Sequence, residues 1–146
     1  MFIGLPGSGK SSFYKERFYA THVRINRDML KTAHRERRLI ETCLEIGQRF
    51  VVDNTNLTRA ARGEYIQRAK AAKFRVIGYY FRTRVAAAIA RNEERQAKIP
   101  KVGIFAAQKR LEVPSSDEGF DELYCVTLER EKGFSVEPGT SGNLVK

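Results

Sequence analysis

Residues 4–11 read Gly4-Leu5-Pro6-Gly7-Ser8-Gly9-Lys10-Ser11, which fills the eight positions of the pattern GxxxxGK(S/T). The flanks agree with it. Met1–Gly4 predicts a first strand, short for a central element, and Gly9 to about Tyr19 predicts a helix. In that setting the glycines let the backbone curl with its N–H groups inward, a nest for phosphate oxygens to which the helix adds its positive end. Lys10 is then placed to reach β- and γ-phosphates, and the Ser11 hydroxyl to ligate Mg²⁺. A glycine-rich turn without a ligand does not fit this context. The stretch predicts an α/β fold that holds a nucleoside triphosphate and Mg²⁺, with Gly4, Leu5, Pro6, Gly7, Ser8, Gly9, Lys10, Ser11 and Ser12 around the nucleotide.

Outward from the loop, short apolar runs alternate with longer helical segments, the pattern of a parallel α/β sheet. Val23–Asn26 predicts a second strand, and Asp28 to about Ile46 a long charged helix with Gly47 as its C-cap. Phe50–Asp53 shows no alternation and predicts a strand buried on both sides. Thr58 N-caps a helix to about Lys73. Phe74–Phe81 is a fourth strand, and Arg84–Arg95 a helix with an Ala-rich face. Polar Gln96–Pro100 separates it from a helix ending near Glu112. Pro114–Gly119 is a loop and Leu123–Leu128 a last strand. One domain over residues 1–128 is expected, with a mainly parallel five-stranded sheet and helices on both faces. Residues 129–146 carry Gly, Ser and Pro without periodicity and are expected to form a flexible tail.

At 146 residues and 16.7 kDa a single core forms without disulfide or metal staples. Hydrophobic residues at 42% and charged residues at 30% exclude general disorder. No apolar run approaches the ~18 residues of a membrane helix, and Met1-Phe2-Ile3-Gly4 lacks the basic start of a signal peptide. Cys43 and Cys125, with His22 and His34, form neither a zinc spacing nor a disulfide framework. A reduced setting is expected, cytoplasmic or, in a eukaryote, nuclear. The charge is divided: 24 Lys/Arg stand against 9 Asp/Glu through Arg110, and 3 against 8 from Leu111 on. A basic surface serves solubility, and clustered cations also attract polyphosphates and nucleic acid.

Two acids end strands. Asp53 closes Phe50-Val51-Val52-Asp53, where it either helps hold the metal or caps the turn with Asn54 and Asn56. Asp28 closes Ile25-Asn26-Arg27-Asp28. Ligands of parallel sheets gather at the C-terminal ends of strands, so Asp28 is expected in the crevice of Lys10. There a carboxylate can accept the proton of an attacking hydroxyl; otherwise it is an acid favoured by a helix N-terminus. No NKxD-type motif occurs, which weakens a GTPase reading, and the chain is too small for a large motor ATPase.

Together these stretches resemble the P-loop 5′-polynucleotide kinases of phage, bacterial and animal DNA and RNA repair. The shared pieces are residues 4–11, Ile25-Asn26-Arg27-Asp28, Val52-Asp53-Asn54-Thr55-Asn56, Arg91-Asn92-x-x-Arg95, Ile99-Pro100 and Glu118-Gly119-Phe120. The first is generic to P-loop proteins; the Asn-Arg-Asp and Asp-Asn-Thr-Asn pair is more specific. The resemblance implies a P-loop kinase fold with an Arg-containing lid that transfers the ATP γ-phosphate to a 5′-hydroxyl of DNA or RNA. It implies Lys10, Asp28, Arg91 and Arg95 as catalytic residues, with Asp28 the general base. It further implies Arg27, Lys31, Asn54, Thr55 and Asn56 at the acceptor, and Ser11 and Asp53 at the metal. Arg91 and Arg95, four apart, are expected on one helical face, where the alternative is a solvated face pairing with Glu93 and Glu94.

One position departs. Some members carry an Arg three residues after the base, where this chain has Lys31, a point charge without the guanidinium fork. Arg27 and Arg35 are the nearby substitutes. Many members are fused to a phosphatase or ligase domain; this sequence has no Asp-x-Asp-Gly-Thr phosphatase motif, so a stand-alone or an excised kinase is expected. The rivals are a small-molecule P-loop kinase, as in zeta-type toxins, and a non-catalytic nucleotide-binding module. Tyr79, Tyr80 and Phe81 are expected in the strand core. Arg35, Arg37 and Arg38 either line a groove or are solvated.

Overall fold

The strand that feeds the phosphate loop is two residues long. Phe2 and Ile3, both fully buried, form β1 in a computed structural model that describes Met1–Lys146. Beside it run the parallel strands β4 (Ile77–Phe81) and β5 (Glu122–Glu129), with Phe2 opposite Tyr79 and Tyr79 opposite Tyr124. Two further strands, β2 (Val23–Ile25) and β3 (Phe50–Val52), pair in parallel. The helices are α1 (Lys10–Arg17), α2 (Arg27–Leu30), α3 (Ala33–Ile46), α4 (Arg59–Ala71), α5 (Val85–Glu93) and α6 (Lys101–Arg110).

Strand alternation sorts the core into two layers. Phe2, Phe81 and Val126 pack with Phe13 and Tyr14 of α1. Ile3, Tyr80 and Cys125 pack instead with Ala88 of α5 and Ile104 and Ala107 of α6. The α/β architecture with helices on both faces is therefore as expected. Tyr80 and Phe81 lie in the core, while Tyr79 is half-buried and stacks on Tyr124 at 5.4 Å.

Three expectations need correction. The expected single sheet is divided, because no strand ladder joins β3 to β1. The Gly4 N–H donates to the Thr55 carbonyl at 3.0 Å. The buried Asn56 amide donates to the Phe2 carbonyl at 2.7 Å and the Val52 carbonyl at 3.5 Å. One side-chain amide thus stands in for missing ladder bonds, with Asn56 at φ +46, a conformation Asn tolerates better than most residues. Next, the long charged helix is two helices. Lys31 turns the chain at φ +72, and Thr32 accepts the Arg35 N–H to cap α3 afresh, while Gly47 closes it as predicted. Finally, residues 129–146 are not a flexible tail. Gly133–Pro138 forms a sixth strand, β6, antiparallel to β5, and seats Phe134 against Phe13 at 5.0 Å. The turn at Gly133, φ +77, makes that hairpin, a signal hidden among residues without apolar periodicity.

A buried brace holds the loops behind the sheet's functional end. Arg62, fully buried on α4, meets Glu118 through two 2.7 Å bonds and donates to the carbonyls of Asn56, Leu57 and Glu112. Every donor group of that guanidinium is engaged, which is what makes a buried charge tolerable.

Candidate active site

The phosphate loop is tight enough to dictate its own sequence. Gly7 sits at φ +77, and a Cβ there would come within 2.6 Å of the Ala88 carbonyl oxygen. Lys10, the first residue of α1, donates to the carbonyls of Gly4 (3.1 Å) and Leu5 (2.6 Å) and to the Ser8 hydroxyl (3.3 Å). Burial lowers its ammonium to about 8. Asp53 and Asp28 oppose that shift and Arg95 adds to it.

Ser11 and Asp53 meet directly. The Ser11 hydroxyl donates to Asp53 Oδ2 at 3.0 Å, and Asp53 is 2% exposed. A third side chain completes the cluster: Arg24 donates from Nε to Asp53 Oδ2 at 2.8 Å and from Nη2 to Ser11 Oγ at 2.9 Å. A hydroxyl and a carboxylate are the hard oxygen donors Mg²⁺ takes, with phosphates and water supplying its other ligands. The pair therefore fits the protein's share of such a site. The Arg24 guanidinium rests on the same two oxygens. Sequence reasoning passed over Arg24, although a charged residue between Val23 and Ile25 in a short strand was a signal.

The residues expected at the acceptor separate into two groups. Asp28 lies exposed in the first turn of α2, where Asn26 caps the helix by accepting the Met29 N–H and ties β2 to β3 by donating to the Asp53 carbonyl at 2.6 Å. Lys31 is exposed past the end of α2. Arg27 is committed elsewhere: its Nε and Nη2 each reach the buried Glu36 carboxylate at 3.1 Å. Glu36 also accepts from the Tyr65 hydroxyl (2.6 Å) and the Asn54 amide (3.2 Å). Burial alone would push this carboxyl up, but the hydrogen bonds from Arg27 and Tyr65 hold it below its ordinary value. Asn56, expected at the acceptor, donates from its amide to β1 and β3 and also lines the neighbouring cavity. Glu36 and Tyr65 were not predicted, since nothing in a charged helical run distinguishes one buried glutamate.

A cavity of about 310 Å³ opens beside these groups, lined among others by Arg27, Asn54, Thr55, Tyr65 and Arg110. The Arg35–Arg38 stretch lies apart from that lining; Arg37 and Arg38 pair with Glu41, a solvated helix face. On the lid side, α5 ends at Glu93, so Arg91 and Arg95 do not share a helical face. Arg91, half-buried, donates from Nε to the Gly7 carbonyl at 2.8 Å, which ties α5 to the phosphate loop. Arg95 lies exposed in the following turn. The buried Asn92 amide exchanges two bonds with the Ile99 backbone, 2.6 and 2.9 Å, and so closes the 93–98 loop at its base.

Residues 1–114 match the AAA domain family. The chain belongs to that family. Two curated relatives align along most of this AAA domain chain. A bifunctional polynucleotide phosphatase/kinase of Acanthamoeba polyphaga mimivirus is 30% identical over 161 residues, spanning 99% of this chain and 36% of the relative. That of Schizosaccharomyces pombe is 25% identical over 138 residues, spanning 90% of this chain and 34% of the relative. The chain thus covers about a third of the length of these relatives. Among solved structures, a gluconokinase from Sinorhizobium meliloti 1021 superposes with TM-score 0.65 at 17% identity, covering 88% of this chain and 81% of that one. Chaetomium thermophilum Kti12 in complex with ADP-AlF3 gives 0.64 at 17%, covering 90% and 89%. The fold is that of a P-loop kinase domain. No helix is long and apolar enough to cross a membrane.

Proposed function

We propose that this domain transfers the γ-phosphate of ATP to the 5′-hydroxyl end of DNA or RNA. The observation that carries the reading is the phosphate loop with its Ser11–Asp53–Arg24 cluster, together with a polar cavity whose lining includes Arg27 and Asn54, the sequence neighbours of Asp28 and Asp53. The relatives support the choice of acceptor, since both are named for polynucleotide phosphatase and kinase activity. A fused or associated phosphatase domain in the whole protein is part of the same proposal.

In this mechanism the loop amides and Lys10 hold the β- and γ-phosphate oxygens, and Gly7 and Gly9 keep the backbone close to them. Ser11 and Asp53 would hold Mg²⁺, which would neutralise charge on the phosphates. Arg24 keeps these two oxygens ordered and balances the buried carboxylate. Asp28 accepts the proton as the 5′-oxygen attacks phosphorus, and ADP leaves. Arg95, carried on the loop that Asn92 closes, compensates charge on the transferring group, while Arg91 fixes the loop at Gly7.

Labelled-ATP transfer to a panel of 5′-hydroxyl oligonucleotides, nucleosides and sugar nucleotides tests the acceptor class. Oligonucleotides are expected to be the best substrates. Equal catalytic efficiency on free nucleosides, or preference for a sugar nucleotide, would replace this reading with a small-molecule kinase.

A further inference from the structure

We propose that Arg110, the last residue of α6, grips the acceptor phosphate that follows the reacting nucleoside, the role the sequence pattern offers to Lys31. The inference rests on the 5′-kinase reading and narrows it to a particular residue. In a strand whose 5′-hydroxyl reacts, the nearest anion of the acceptor is the phosphate on the 3′-oxygen of the same sugar. The cation that binds it must therefore stand one nucleoside away from Asp28.

The cavity offers such a cation. Its lining takes in Arg27 and Asn54, which adjoin Asp28 and Asp53 in sequence, and also Thr55 and Arg110. Its volume, about 310 Å³, lies at the small end of ligand sites, roughly 300 Å³ and up, enough for a single nucleoside unit and not for a duplex. Tyr65 and Leu57 give the lining an apolar part; Asn54, Thr55 and Thr58 give it hydrogen-bonding groups.

Charge then selects the residue. Two guanidiniums line the cavity. Arg27 is forked onto Glu36, so its charge is largely neutralised. Arg110 takes part in none of the protein's ion pairs or side-chain hydrogen bonds. Glu64, across the same lining, does not pair with it either. Lys31 is exposed and not part of the lining. A free planar fork facing a polar cavity is the arrangement that recognises phosphate bidentately. The plain alternative is a solvated arginine favoured by the C-terminus of α6, and that arginine has no influence on acceptor choice.

The experiment compares wild type with Arg110→Ala, Arg110→Lys and Lys31→Ala in two assays. One is transfer from ATP to adenosine, adenosine 3′-monophosphate and a 5′-hydroxyl trinucleotide. The other is calorimetric binding of adenosine 3′-monophosphate in the presence of ADP. Arg110→Ala is expected to lower the preference for the 3′-monophosphate over adenosine, as a ratio of kcat/KM, by about tenfold to a hundredfold, the value of hydrogen bonds to a charged group. The loss falls mainly on KM, Arg110→Lys restores part of it, and Lys31→Ala leaves the ratio unchanged. An unchanged ratio in Arg110→Ala, while wild type still phosphorylates the trinucleotide, overturns the role of Arg110 and leaves the kinase reading standing. Binding of the 3′-monophosphate that Arg110→Ala abolishes, in a protein without transfer, upholds Arg110 and overturns the kinase reading. A wild type that neither binds nor transfers overturns both.

Discussion

The proposed donor and acceptor sides of this site are built by opposite means. On the donor side one contiguous stretch, residues 4–11, supplies the glycines, the lysine and the serine, and the backbone itself forms the cradle. Its lysine is held by carbonyl and hydroxyl oxygens rather than by a carboxylate. The acceptor side is assembled from side chains on α2, α3, α4, α6 and the segment after β3. Most of its charges are satisfied internally, Arg27 by Glu36 and Arg62 by Glu118. A backbone-built site tolerates few sequences but needs little support. A side-chain-built site can vary its acceptor, provided its internal braces hold.

The sharpest break of this contrast is Lys10→Ala. It removes the donor side's central cation and is expected to leave no detectable transfer, with melting temperature kept and ATP binding weakened by calorimetry. Asp28→Asn keeps the shape at the junction of the two sides and removes the base. Turnover is expected to fall by roughly 10²–10⁴ with ATP affinity intact, and near-normal turnover would return Asp28 to a helix-start acid.

Bracing is tested by Arg62→Met, which strands the Glu118 carboxylate in the interior. Breaking a buried pair costs about 3–5 kcal/mol, read as a lower denaturation midpoint, and adding Glu118→Gln is expected to recover part of it. Smallest is Glu36→Gln, expected to raise the oligonucleotide KM by about tenfold while the ATP KM holds. A pH series reads the same residue independently. The folded-state value of Glu36 lies below its ordinary 4.5, so its ionised form stabilises the fold above that pH. The contribution is lost as pH falls through the lowered value. The wild type should therefore lose stability more steeply than Glu36→Gln in acid, and parallel curves would show that Glu36 braces nothing.

The same contrast decides what could be read in advance. The phosphate loop with its flanking strand and helix follows from local patterns, because a nest needs particular residues at fixed spacing, whereas position alone left Asp28 and Asp53 open between site residues and capping acids. Glu36 and Arg110 could not be separated from the other charges of their helices, since burial of one face depends on what packs against it. Asn56 carried an opposite lesson. Its place in Asp53-Asn54-Thr55-Asn56 suggested an acceptor contact, and it lines the polar cavity, but its amide also replaces backbone bonds between β3 and β1, which no pattern announced. Short strands concealed more: with three residues in β2 and β3, no alternation revealed that Arg24 points to Ser11 and Asp53. Likewise β6, bounded by Gly133 and Pro138, offered only Phe134 and Val136 to the core, too few to register as a strand.

Phe134 also orders events in time. A Cβ on Gly9 would meet its ring at 3.1 Å, so the residue that opens onto the Lys10 helix is packed by one near the other end of the sequence. Contacts so distant along the chain form slowly, because the intervening loop must close first. During synthesis the phosphate loop emerges long before its packing partner. A nascent chain stalled before Phe134 is therefore expected to expose the loop without holding nucleotide firmly, and competence should appear only once the β5–β6 hairpin has closed.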